Sequence, residues 1–87
     1  MTYRIEIEPI ALKALARLQK AQPSIAGHVI SAINDLSQDP FRGKSLVGDF
    51  YGFYSLRVGV YRVVYSIDQG KIMIEIIRIG HRKDVYR

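Results

Sequence analysis

Two arginines and a short C-terminal run carry most of the chemistry this chain can offer. Arg57 and Arg62 flank Val58-Gly59, a tight turn between two strand-like runs, Tyr51–Arg57 and Tyr61–Asp68. Strand alternation puts Phe53, Ser55 and Arg57 on one face of the first run, and Arg62, Val64 and Ser66 on one face of the second. If the aromatic and aliphatic face of each run is covered, both guanidiniums fall together on the open one. A guanidinium presents a planar fork of donors that suits phosphate oxygens. Like charges side by side cost energy without an anion, so the alternative is that each arginine pairs with a carboxylate such as Glu75 or Asp68. The tail, leaving the last strand-like run, adds His81, Arg82, Lys83 and Tyr86 within six residues, and these groups are expected to curl over the same open face. His81 has an ordinary pKa near neutrality, as proton transfer prefers. The same residues also fit a histidine closing a strand end and a tyrosine packing the terminus. His28 lies in a helical stretch and is given no role.

The elements that must hold these groups can be read from periodicity. Tyr3, Ile5 and Ile7 alternate with Arg4, Glu6 and Glu8, the pattern of a half-buried strand. Pro9 suits the first turn of a helix, and Ala11, Leu15 and Leu18 follow at helical spacing. Pro23 opens a second helix with an apolar stripe of Ile25, Val29, Ile33 and Leu36, ended by Asp39-Pro40. So short a connection predicts an antiparallel helix hairpin. Residues 40–50 read as a loop with Gly43 and Gly48, leaving Arg42 and Lys44 exposed. After the two runs above, the turn Asp68-Gln69-Gly70 leads to a third, Lys71–Ile79. Ile72, Ile74 and Ile76 on one face, and Met73, Ile77 and Ile79 on the other, predict a strand buried on both sides. The expectation is an α+β fold over residues 1–87 as one domain: a strand, a helix hairpin and a three-stranded antiparallel meander, with the helices on one face of a twisted four-stranded sheet.

Composition narrows the function classes. The 87 residues include no cysteine and two distant histidines, so thiolate chemistry is excluded and neither a metal site nor a cofactor is expected. No apolar run approaches a membrane span, and Met1-Thr2-Tyr3-Arg4-Ile5-Glu6 lacks a signal-peptide core, so a soluble cytoplasmic protein without membrane contact is expected. The net charge of +5 lies wholly in residues 41–87, which hold nine basic and four acidic side chains. That asymmetry fits either a polyanion-binding surface or simple solubility. Six tyrosines offer faces on which bases can stack, although at strand spacing most read as core.

Four stretches together resemble the RelE/ParE superfamily of toxins from toxin–antitoxin pairs: Asp39-Pro40-Phe41-Arg42-Gly43-Lys44, Gly52-Phe53-Tyr54, the block from Leu56 to Tyr65, and the ending from Ile79 to Arg87. With the order of elements, the likeness spans nearly the whole chain, and the RelE-like branch is favoured. It implies a metal-independent endoribonuclease that enters the ribosomal A site and cuts mRNA by attack of the 2′-hydroxyl on the scissile phosphate. By position it implies functional residues at Arg62, Arg82, Tyr86 and Arg57, with His81 where relatives carry a basic residue. The roles that fit are phosphate clamps at Arg62 and Arg57, a transition-state stabiliser at Arg82, proton transfer by His81 or Tyr86, and phosphate-binding support from Lys44 and Lys83. It implies a cognate antitoxin, RelB-like, wrapping an acidic flexible segment around the toxin in a hetero-oligomer. The ParE branch shares the fold and targets DNA gyrase, the alternative activity. Where well-studied RelE enzymes carry two lysines on the first meander strand, this chain has Phe53 and Ser55.

Overall fold

The computed structural model describes residues 2–83. Strand β1 (Arg4–Ile7) leads into helices α1 (Pro9–Ala21) and α2 (Pro23–Leu36), followed by β2 (Lys44–Ser45), β3 (Tyr54–Val58), β4 (Tyr61–Asp68) and β5 (Met73–His81). Each helix opens on a proline in its first turn. A single residue, Gln22, separates them: its φ of −145° and ψ of 74° leave the helical region, as the proline behind it requires. Ser37 closes α2, its hydroxyl donating to the Asn34 carbonyl at 2.7 Å.

The strands form one sheet in the order β1-β5-β4-β3-β2. The meander is antiparallel as expected, whereas β1 runs parallel to β5, with Arg4 opposite Met73 and Ile7 opposite Ile76. A parallel pairing needs a long crossover, and the helix hairpin begins it. Four strands were expected; a fifth, β2, joins the edge from within the stretch read as a loop. One face of the sheet packs on the helices. Ala11, Leu15, Leu18, Ala26, Val29, Ile33 and Leu36 meet Leu56, Val63, Tyr65, Ile74, Ile76 and Ile79 there.

A register shift beside Val64 and Tyr65 corrects one expectation. Val64 opposes Arg78 while Tyr65 opposes Ile76, so Ile77 is an extra residue in β5. This β-bulge turns Ile79 to the helix side, where it is buried, instead of leaving it with Met73 and Ile77 on the other face.

Candidate phosphate-binding site

The uncovered face gathers cations at the β3–β4 end. Gly59 makes the tight hairpin possible, with a φ of 60° that side chains avoid, and the hairpin sets Arg57 directly opposite Arg62. Ser55 lies two residues back on the same face and opposes both Val64 and, across the other edge, Lys44. Lys44, Ser55, Arg57 and Arg62 line one cavity of about 510 Å³, walled on its far side by Ser45, Leu46 and Val47.

The cavity is electrostatically unsatisfied. Nη1 of Arg62 and Oγ of Ser55 are buried without any hydrogen-bond partner. Arg57 donates from Nε to the Gly59 carbonyl at 3.3 Å. Among the described residues the ion pairs are Arg4–Glu6 and Arg42–Asp35, and neither involves Arg57 or Arg62. Asp68 and Glu75, the two carboxylates weighed as partners for the arginines, are engaged elsewhere. Asp68 accepts from the Lys71 amide at 3.0 Å in the β4–β5 turn. Glu75 lies opposite Glu6, and its carboxyl is held above the ordinary range, first by a hydrogen bond with Glu8 and then by burial. A buried donor without a partner costs about 1–3 kcal/mol, more when charged. An oxyanion would remove that cost.

Lys44 is positioned from beneath the sheet. The Tyr65 hydroxyl, fully buried, donates to the Pro40 carbonyl at 2.8 Å and accepts from the Gly43 amide at 2.9 Å. Burial raises the phenol's pKa, so it stays protonated as that donation requires. Gly43 has to be glycine, because a Cβ there would stand 2.5 Å from the Tyr65 hydroxyl and 3.0 Å from the Ser55 carbonyl. The residue after it begins β2.

The tail residues divide. Arg82 is exposed and its amide donates to the Val60 carbonyl at 2.8 Å, so its backbone sits beside the arginine hairpin. Lys83 is exposed, and its amide donates to Nδ1 of His81 at 3.2 Å. His81, by contrast, does not join the arginines. It opposes Tyr61, and the two rings meet edge-on with centroids 5.9 Å apart. Tyr61 packs on the core and accepts from Gln22 of the helix turn at 3.1 Å, so His81 faces the helix side of the sheet. The expectation that it folds over the open face is thereby corrected; strand alternation from Ile79 is the cause. Tyr86 lies outside the described residues. One contributor was named in the sequence reading but given no role: Ser55, which alternation places beside Arg57 but which carries no charge. Arg78 reaches the open face through the bulge, opposite Val64, but does not line this cavity. Among the described residues no cluster of three or more histidine, aspartate or glutamate side chains is arranged to hold a metal. Nor is any helix among them long and apolar enough to cross a membrane.

The chain as a whole is similar to known proteins. The family model described as "ParE toxin of type II toxin-antitoxin system, parDE" matches residues 5–86. The chain is 40% identical to toxin RelE of Mycobacterium tuberculosis over 86 residues, covering 98% of this chain and 87% of that one. It is 42% identical to toxin RelG of the same organism over 72 residues, 80% and 83% of the two chains. Its structure superposes on a chain of the toxin–antitoxin complex RelBE2 from Mycobacterium tuberculosis with a TM-score of 0.83 at 34% identity, covering 94% of this chain and all of the other. The YoeB/ParE toxin of Agrobacterium tumefaciens shares the fold, with a TM-score of 0.79 at 20% identity over 90% of this chain and 96% of that one.

Proposed function

Because the chain belongs to the ParE toxin family of type II toxin–antitoxin systems, among its RelE-like members, we propose that it arrests translation by cutting mRNA in the ribosomal A site. The observation that carries this reading is that Arg62, whose Nη1 is buried without a partner, lines a cavity together with Arg57 and Lys44. Such a cavity binds a phosphodiester, and cations fixed on paired strands need little reorganisation as charge grows on the phosphoryl oxygens. In the proposed reaction the ribose 2′-oxygen bonds to the adjacent phosphorus, and the bond to the 5′-oxygen breaks. The products are a 2′,3′-cyclic phosphate and a 5′-hydroxyl; the proton leaving the 2′-hydroxyl is balanced by one delivered to the 5′-oxygen. Arg62, Arg57 and Lys44 grip the phosphate, while Arg82, whose backbone lies beside the same hairpin, meets the charge that develops in the transition state, with Lys83 as a supporting cation. Tyr86 is the proposed proton donor to the leaving oxygen. His81 is removed from the proton path by its packing on Tyr61, and it steadies the exit of β5. The ribosome supplies the strained mRNA geometry and the base that these residues lack.

The partner follows from the same family. The RelBE2 chain and the archaeal RelE–RelB complex of Pyrococcus horikoshii are toxin–antitoxin assemblies. We take this chain likewise to form a hetero-oligomer with a cognate antitoxin in the cytoplasm, an acidic flexible segment of the antitoxin covering the basic face. A translation reaction with mapped mRNA ends tests the nuclease reading. The native protein yields new ends within codons at the A site, and Arg62→Ala reduces them about a hundredfold or more. Undiminished cleavage by Arg62→Ala overturns the assignment. Intact mRNA together with blocked gyrase supercoiling replaces it with the ParE-like activity.

A further inference from the structure

The loop between β2 and β3 displays an aromatic ring that the phosphate site does not use. Tyr51 is 83% exposed and Val47 80% exposed, the two most open large apolar side chains among the described residues. The loop holding them is braced. Leu46 donates to the Phe53 carbonyl at 2.9 Å, Tyr51 to Gly48 at 3.1 Å and Phe53 to Phe50 at 3.0 Å. Gly48 and Gly52 take the positive φ values, 67° and 95°, that turn the chain on either side of the ring. A hydrophobic ring held out to water on a braced loop gains nothing for folding.

Beneath Tyr51 lies a second cavity, of about 330 Å³, lined by Leu46, Val47, Tyr51, Phe53 and Tyr54. It contains no charged side chain, and it shares the wall Ser45-Leu46-Val47 with the cationic cavity of Arg57 and Arg62. A cationic pocket and an aromatic one on either side of a three-residue wall match a nucleotide, in which an anionic phosphodiester alternates with a flat apolar base. We infer that Tyr51, with Val47 and Phe53, forms a stacking subsite for the nucleobase adjoining the phosphate held by Arg57 and Arg62. The inference rests on the phosphate reading proposed above and adds an occupant to it, an unpaired base of single-stranded RNA. Stacking tolerates any base, since each has a π face, so the subsite senses whether a base is present and splayed out rather than which one it is.

The test is fluorescence anisotropy with a short labelled single-stranded oligoribonucleotide and a set of versions each made abasic at one position. The proteins compared are the native chain, Tyr51→Ala, Tyr51→Phe and Arg62→Ala. The Tyr51 ring is almost wholly in solvent, so its removal leaves the core untouched, and circular dichroism checks this. Tyr51→Ala weakens binding of the intact oligonucleotide about tenfold, and Tyr51→Phe retains it. One abasic version binds the native chain equally weakly and is insensitive to Tyr51→Ala. Arg62→Ala weakens every oligonucleotide alike. Unchanged binding by Tyr51→Ala overturns the subsite, as does a Tyr51→Ala variant that keeps its RNA affinity but loses the antitoxin, which makes the loop a protein contact. If Arg62→Ala binds normally, the phosphate reading fails by itself, while the Tyr51 and abasic comparison still decides the stacking.

Discussion

Two like-charged pairs stand at opposite corners of the same open sheet face: Arg57 opposite Arg62 on β3 and β4, and Glu6 opposite Glu75 on β1 and β5. Directly opposed like charges destabilise a sheet. The acidic corner has internal remedies. Arg4 pairs with Glu6 at 3.3 Å, Lys71 lies near Glu75, and Glu75 can share a proton with Glu8. The basic corner has none of these, because a guanidinium does not give up its proton and no carboxylate among the described residues pairs with either arginine. A repulsion that the chain relieves itself is structural. One left for an outside anion to relieve is what supports the phosphate site proposed for Arg57 and Arg62.

The largest test of this contrast is Arg62→Met, which should move activity and stability in opposite directions. Cleavage in a translation reaction falls about a hundredfold or more, while chemical denaturation reports a gain of about 1 kcal/mol from removing a buried unpaired donor and the opposed charge. A loss of both would show that the arginine pair is structural after all. Tyr65→Phe should cost about 1–3 kcal/mol, since it orphans the Gly43 amide and the Pro40 carbonyl, and it should weaken phosphate binding by releasing Lys44. Inorganic phosphate sharpens the comparison further: in a thermal melt it stabilises the native chain by about 1.4 kcal/mol per decade of concentration once above its dissociation constant, and it leaves Arg62→Met unchanged.

The smallest effect lies at the acidic corner. Folding holds the Glu75 carboxyl above its ordinary value of 4.5, chiefly through the hydrogen bond with Glu8. The folded chain therefore binds that proton more tightly than the unfolded one. Its contribution is complete below about 4.5 and is lost as pH rises through the higher folded value. Glu75→Gln should flatten this downward slope in a series of melts from pH 4 upward, without changing mRNA cleavage.

Much of the site was legible because the residues that build it obey a strict two-residue alternation. Arg57 and Arg62 flank a turn that glycine announces, so their meeting on one face followed from spacing alone. The helices were equally plain, each opened by a proline and carrying an apolar stripe that the sheet covers. The failures share one cause: they depend on pairing between distant segments, which no local pattern encodes. Nothing in Arg4–Ile7 says that its neighbour is β5, and nothing in Lys44-Ser45 marks two residues as a strand. The bulge at Ile77 is invisible without β4 alongside, and it moved Ile79 to the core. His81 was misplaced by the same bulge: alternation from Met73 and Ile77 put it on the open face, and the extra residue turned it, with Ile79, toward the helices.

The parallel seam between β1 and β5 also bears on biogenesis. Its partners, Arg4 and Met73, are separated by most of the chain, and contacts so distant in sequence close late and slowly. During synthesis β1 and the helix hairpin emerge first and must wait, apolar side uncovered, for a sheet whose interior strand β5 is made after all the others. A polypeptide cut short after β4 has no place to dock its opening strand, so premature termination leaves a fragment that cannot mature.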